Sequence, residues 1–137
     1  MRVSVVVPVK DDPRVRNCVM SVLACEEEVE SLEVIVVDDG SLESLAGLPD
    51  EVVVLELPHV GVYAARNRGV EASNGDVIVF TDADCVVEKG WLKAAVAAIE
   101  DGADLVQGYS GSVGDHLAGR LTQRSEEHAS ELQSLAY

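Results

Sequence analysis

Asp82 and Asp84 stand one small residue apart at the end of an apolar run, in the segment Val77-Ile78-Val79-Phe80-Thr81-Asp82-Ala83-Asp84-Cys85. Two carboxylates delivered at a strand tip suit a divalent cation. Hard cations such as Mg²⁺ take oxygen ligands and commonly bind one or two carboxylates plus substrate phosphates. An acidic turn is the competing reading of that pair taken alone. Two other apolar runs also end in polar residues, Pro8-Val9-Lys10-Asp11-Asp12 and Asp38-Asp39-Gly40-Ser41. A carboxylate at the second of these tips can accept hydrogen bonds from a base or a ribose, as acids do in dinucleotide-binding folds. Asp38 or Asp39 could equally cap a short following helix. Arg66 has the reach and charge to meet a phosphate or a carboxylate at the same edge, whereas Arg68 reads as a solvated surface charge. Neither G-x-G-x-x-G nor G-x-x-x-x-G-K-[ST] occurs, and the loop after the first strand has no glycine. Pyrophosphate binding would therefore rest on metal and arginine rather than on a Gly-rich cradle.

The elements that must position these residues are legible from periodicity. Val3 to Val9 is a continuous β-branched run, as in a strand covered on both faces. Asp12-Pro13 marks a turn and a helix start, after which Val15, Cys18, Val19, Val22 and Leu23 keep helical spacing. Strands are predicted over Glu33 to Val37, Glu51 to Leu57, Asp76 to Thr81 and Ala103 to Gln107. Helices are predicted over Gly61 to Ser73, with Val62, Ala65 and Gly69 facing the sheet, and over Trp91 to Glu100, with Leu92, Ala95, Val96 and Ile99 on one face. Asn74-Gly75 reads as a turn. Alternation of strand and helix predicts βαβ units, right-handed crossovers and a mainly parallel sheet. The expected class is α/β, in three layers, and all three polar tips would then lie along one sheet edge. Gly108, Gly111, Gly114 and Gly119 mark a loosened stretch, and the last residues read as helical and polar.

Composition narrows the function. The net charge of −15 excludes free nucleic acid as a partner, because phosphate backbones need basic patches. Seven arginines stand against only Lys10, Lys89 and Lys93. A dense carboxylate surface with little lysine suits a salt-rich cytoplasm, where self-repulsion is screened; an ordinary acidic protein is the alternative. Cys18, Cys25 and Cys85 lack a zinc-like pair spacing and read as buried free thiols. The three histidines are scattered and receive no metal role. No run approaches the roughly 20 apolar residues of a membrane span, and the chain enters a strand without a signal-like leader, so a cytoplasmic location is expected.

The segments VSVVVPVKDD, EVIVVDDGS and GVYAARNRGVEASNGDVIVFTDADC, in that order and spacing, resemble the N-terminal half of a large inverting family of glycosyltransferases with the GT-A fold. This is family 2, which includes cellulose-synthase-like, dolichol-phosphate-mannose-synthase-like and rhamnosyltransferase-like enzymes. The resemblance covers about residues 1 to 110. It implies a nucleoside-diphosphate-sugar donor of UDP or GDP type and a divalent metal, Mn²⁺ or Mg²⁺. Pro8 and Val9 would line the base site through backbone groups. Asp39 would contact the base, with Asp38 beside it, and Arg66 would lie near the base or diphosphate. Asp82 would approach the ribose, and Asp84 would coordinate the metal bridging the diphosphate. The chain departs from the family at Lys10-Asp11-Asp12, where an aromatic, Asn and Glu are more usual; Asp12 would stand in for the Glu.

Inversion needs a general base for the acceptor hydroxyl. In the family it lies well downstream of the Asp-x-Asp, so it is expected beyond the end of this chain; Asp115, Glu126 and Glu127 match no family motif. Residues 1–110 are thus expected to form the nucleotide-sugar-binding subdomain and 111–123 the start of an acceptor-side region. Arg124 to Ser134 (RSEEHASELQS) resembles, with one change, the read-through translation of a common sequencing adapter, so 124–137 reads as a non-native tail; the alternative is an amphipathic C-terminal helix. Two other functions are compatible with paired acids at strand tips. A sugar-nucleotide-forming nucleotidyltransferase should carry a Gly-rich basic loop after the first strand, and a Mg²⁺-binding receiver-like module should carry its acid pair after the first strand. Acceptor identity and membrane association of a full-length parent stay open.

Overall fold

A computed structural model describes residues 1–111 and 132–136 of the chain. Its strands are β1 (Arg2–Val9), β2 (Ser31–Asp38), β3 (Val53–Glu56), β4 (Val77–Phe80), β5 (Val106–Tyr109) and β6 (Leu132–Ala136), and its helices are α1 (Val15–Leu23), α2 (Val62–Ala72) and α3 (Trp91–Glu100). The six strands form one sheet in the order β3-β2-β1-β4-β6-β5. The first four in that order are mutually parallel, while β6 runs antiparallel to both β4 and β5. Among the described residues no helix is long and apolar enough to cross a membrane.

The β-branched run of β1 is buried from Val3 to Val9 because both its faces are covered. Val3, Val5, Val7 and Val9 alternate onto one face, where Val34, Val36, Val77 and Val79 join them under Val15, Cys18, Val19 and Val22 of α1 and Leu92 and Ala95 of α3. Val6, Ile35, Val37 and Phe80 pack on the other face with Ala65 of α2. The result is the three-layer, mainly parallel α/β/α arrangement that the alternation predicts.

Only small residues let α2 approach the sheet. A Cβ added at Gly69 would overlap Cγ1 of Val6 and lie 3.2 Å from Cγ2 of Val37. Alanine gains about 1 kcal/mol of helix propensity over glycine, but overpacking costs about 1–3 kcal/mol, and Val6 is stiff at χ1. Gly69→Ala is therefore expected to lose about 1 kcal/mol of stability in urea denaturation; an unchanged or raised midpoint would contradict the packing.

At the sheet edge remote from the polar tips, buried Ser4 donates to Glu33 Oε2 at 2.6 Å and accepts from Gly75 N at 2.8 Å. Glu33 also accepts from Asn74 through its backbone N at 2.9 Å and its Nδ2 at 3.0 Å. These bonds clamp the predicted Asn74-Gly75 turn onto β1 and β2. Glu28 likewise reaches the start of α3, accepting from Gly90 N at 2.9 Å and Lys93 N at 3.0 Å, and so satisfies donors that a helix N-terminus leaves unpaired. Burial pushes both carboxyls up, but their hydrogen bonds prevail and hold both below the usual glutamate range. A depressed carboxyl adds stability above its unfolded pKa and loses it as pH falls through the folded value. Stability at high salt, where surface repulsion is screened, is thus expected to hold above about pH 5.5 and to fall below about pH 4.3. The slope should be shallower in Glu33→Gln; equal slopes would remove Glu33 as a source.

Three expectations are corrected. Val62 is 44% exposed, so of the three residues expected to face the sheet Ala65 and Gly69 do and Val62 does not. The strand expected over 103–107 lies at Val106–Tyr109, because Ala103 closes the end of α3 by donating to Ala98 O at 3.1 Å. Residues 132–136, expected to be helical, form a strand between β4 and β5, where partner backbones rather than local pattern set the conformation. The loosened stretch beyond Gly111, the 111–123 acceptor-side region past its first residue, the acids Asp115, Glu126 and Glu127, and most of the 124–137 tail lie outside the described residues.

Candidate functional site

The β1–β2 ladder runs on to Val9 opposite Asp38, but the β1–β4 ladder stops at Val6 opposite Phe80. The sheet therefore splits at its C-terminal edge, between the tips of β1 and β4, which is where open parallel sheets hold ligands. Pro8 fits this split. Val6 O accepts from Thr81 N at 3.3 Å and Val9 O accepts from Asp39 N at 2.8 Å, so alternate residues of β1 serve β4 and β2 in turn. Pro8 falls on the β4 side after β4 has ended, where the missing N–H breaks no ladder bond and its carbonyl is left at the split.

The Asp-x-Asp turn hangs from a buried residue. Ala83 is in the core, which sends Asp82 and Asp84 outward on either side of it, Asp82 half-exposed and Asp84 exposed. Cys85 N closes the turn by donating to Asp82 O at 3.0 Å. Cys18 of α1 supports the same carbonyl, donating from Sγ at 3.4 Å. Burial, with Cys85, Asp82, Asp84 and Asp12 adding their charges, pushes the Cys18 thiol up to about 12, so Cys18 acts as a neutral support. None of the three cysteines is in a disulfide; Cys18 and Cys25 are buried as expected, whereas Cys85 is half-buried beside the acid pair. One side-chain oxygen each of Asp82 and Asp84 and the sulfur of Cys85 lie within 4.8 Å of one another. That donor set can hold a divalent cation, as two carboxylates commonly do.

Arg66 reaches this turn from α2, donating from Nη2 to Asp82 Oδ1 at 3.1 Å. A half-exposed ion pair of this kind contributes at most about 1 kcal/mol, so stability alone is a weak reason for its presence. Arg66 Nε is buried and has no hydrogen-bond partner among the described residues, nor does Thr81 Oγ1 beside Asp82. Buried donors are normally satisfied, and an unsatisfied guanidinium nitrogen next to two carboxylates fits a place for an anion. Arg68, by contrast, pairs with Glu71 at 2.7 Å on the surface.

Asp38 and Asp39 have separate tasks. Asp38 Oδ1 accepts from Ser41 N at 3.0 Å and so caps a turn, not a helix; the next element after β2 is β3. Asp39, 5% exposed, accepts from Val60 N at 2.6 Å and Gly61 N at 2.9 Å and pairs with His59 Nδ1 at 3.2 Å. Burial pushes its carboxyl up, but these bonds prevail and hold it below the usual aspartate range. A carboxylate offers about four lone pairs, so one acceptor direction stays available to a ligand. The turn passes so close to the next loop that a Cβ on Gly40, at φ +83°, would sit 2.9 Å from His59 N.

The first tip is stitched to the second: Asp11 accepts from Leu42 N at 2.8 Å, and its own N donates to Ser41 Oγ at 2.9 Å. Asp12 is held by Arg14, which donates from N, Nε and Nη2 at 3.0, 3.0 and 2.9 Å. Both Asp12 oxygens are thereby engaged at the start of α1. Arg14 was missed by sequence reasoning. Its guanidinium is held more firmly protonated by Asp12 first, and by Asp84 and Cys85 beyond it, which puts a second cationic group within electrostatic range of the acid pair. The signal was available in Asp12-Pro13-Arg14, where proline bends the chain back at a helix start.

A mainly parallel sheet split at its C-terminal edge, with a carboxylate pair and an arginine at the split, has the layout of open α/β folds that hold ligands beyond their strand tips. The profile of Glycosyl transferase family 2 matches residues 4–132. The chain therefore belongs to glycosyl transferase family 2. Glycosyltransferase AglE of Haloferax volcanii is 33% identical over 116 residues, which is 77% of this chain and 38% of that protein. The pre-mycofactocin glycosyltransferase of Mycobacterium tuberculosis is 36% identical over 99 residues, 67% of this chain and 20% of that protein. The chain thus spans well under half the length of these relatives. In fold it resembles mannosyltransferase PcManGT from Pyrobaculum calidifontis, solved in complex with GDP-Man and Mn²⁺ (TM-score 0.71, 21% identity, 98% of this chain and 44% of that one). It also resembles S. aureus TarS 1-349 in complex with UDP-GlcNAc (TM-score 0.61, 24% identity, 83% of this chain and 36% of that one).

Proposed function

We propose that this chain is the donor-binding portion of a metal-dependent glycosyltransferase that moves a sugar from a nucleoside-diphosphate sugar to an acceptor hydroxyl with inversion. The observation that carries the reading is the carboxylate pair Asp82 and Asp84 at the split between β1 and β4, with Arg66 bonded to Asp82 and its Nε unpaired among the described residues. Asp84, exposed and accepting from the Cys85 thiol at 3.5 Å, would hold Mn²⁺ or Mg²⁺, with Asp82 turned towards the ribose. Such a cation supplies Lewis acidity that stabilises a leaving diphosphate. Arg66 would pair its free guanidinium donor with the diphosphate. Asp39 orders the β3–α2 junction and offers its remaining lone pair to the base, while the Pro8 and Val9 backbone lines the base site. Asp12 would contribute by holding Arg14 near the acid pair. The relatives' names and the nucleotide sugars bound in the two neighbouring structures support this donor class. The family profile weighs against a nucleotidyltransferase or a receiver-like module. The acceptor, the catalytic base and attachment of a longer parent to a membrane surface belong to the rest of the protein in this reading.

Thermal-shift screening of UDP and GDP with Mn²⁺ or Mg²⁺ tests the proposal. A rise in Tm with one diphosphate only when metal is present is expected. A folded protein that responds to no nucleoside diphosphate would overturn it.

A further inference from the structure

We infer that Cys85 is a third side-chain ligand of the cation held by Asp82 and Asp84, and that it makes this site rank thiophilic cations such as Co²⁺, Zn²⁺ and Cd²⁺ above Mg²⁺. The inference rests on the metal reading of the acid pair and extends it to a residue that reading does not use.

The geometry is that of a mixed-ligand site. Cys85 Sγ lies 3.5 Å from Asp84 Oδ1, and the three ligand atoms fall within 4.8 Å of one another. With a metal–sulfur bond of about 2.3 Å and a metal–oxygen bond of about 2.1 Å, two ligands at the tetrahedral angle stand about 3.6 Å apart. The observed sulfur–oxygen separation therefore needs little adjustment to admit a cation. The positions of all three ligands are prepared by the turn itself. Cys85 N donates to Asp82 O at 3.0 Å, and the same carbonyl is held from α1 by Cys18 at 3.4 Å. The Arg66 bond to Asp82 Oδ1 leaves Oδ2 for the cation.

The donor types decide the preference. Mg²⁺ demands near-octahedral oxygen ligation and keeps several waters, so a sulfur in its shell brings no gain. Thiolate ligands select softer ions, and affinity rises from Mn²⁺ through Co²⁺ towards Cu²⁺ at a given site. As the sulfur–metal bond forms, the Sγ–H bond breaks and its proton leaves to solvent, so binding releases a proton. Two carboxylates and one thiolate then face a dication, and open positions remain for diphosphate oxygens.

The test uses the full chain with UDP or GDP present. Co²⁺ titration should give a near-ultraviolet thiolate-to-cobalt charge-transfer band in the wild type that Cys85→Ser lacks. In competition binding, Cys85→Ser should weaken Cd²⁺ at least about tenfold and change Mg²⁺ less than about twofold. Protection of Cys85 from alkylation by Cd²⁺, read by mass spectrometry on the wild type, gives an answer even if the variant folds poorly. Cation binding by the wild type with no charge-transfer band and no protection would overturn the inference and leave the metal reading intact. No binding of any divalent cation would overturn both.

Discussion

Asp84→Ala is expected to abolish the metal-dependent rise in Tm given by a nucleoside diphosphate, while the Tm of the unliganded protein stays nearly where it was. The two halves of this result have different causes. Asp84 is exposed and accepts a weak bond from the Cys85 thiol at 3.5 Å, and surface substitutions away from special features usually change stability by under about 0.5 kcal/mol. Ligand present at a hundred times its Kd stabilises by about 2.7 kcal/mol, or roughly 10 °C for a domain of this size. Removing the metal carboxylate removes that shift through the ligand and not through the fold. Asp82→Ala would be less clean, because it also breaks the bond from Arg66 at 3.1 Å. An Asp84→Ala protein that keeps its metal-dependent shift would place the cation elsewhere.

The second large effect is expected at Asp39, through stability. Asp39→Ala leaves Val60 N, Gly61 N and the His59 ring without their buried acceptor. Hydrogen bonds to charged groups contribute about 1.5–3 kcal/mol each. Shared structure makes such losses less than additive, so a loss of roughly 3 kcal/mol is expected, a large fraction of a typical domain's stability. Asp39→Asn should recover less than half of it, because one oxygen becomes an NH₂ facing an N–H donor. Asp38→Ala removes only the bond from Ser41 N and should lose about 1 kcal/mol. Urea denaturation of the three variants checks the ranking; an Asp39→Ala loss no larger than that of Asp38→Ala would mean that the β3–α2 junction does not depend on this carboxylate.

Much of the frame was legible because it depends on local period. The unbroken β-branched run of β1 reads as a strand buried on both faces, and α3 begins and ends where its apolar spacing does, at Trp91 and Glu100. The fold class followed from alternation. Gathering of the three polar tips at one edge followed in turn, since parallel strands must share a C-terminal end. Val62 was misread because period alone cannot say how wide the covered stripe of a helix is. Residues 132–136 were misread because a strand's partners are distant in sequence.

The side-chain partnerships at the tips were outside what one sequence can show. Asp39 is separated from its partners Val60 and Gly61 by more than 20 residues of chain, Arg66 from Asp82 by 16, and Cys18 from the Asp82 carbonyl by 64. The sequence by itself determined which residues stand at the crevice, through strand ends and motif spacing. Only the tertiary structure decided what each does there. Asp39 orders a loop junction, Arg66 meets Asp82, and Cys18 supports the acid turn from α1. A hydrogen bond is set by distance and angle in three dimensions, whereas spacing along the chain constrains only neighbours within a turn or a strand pair.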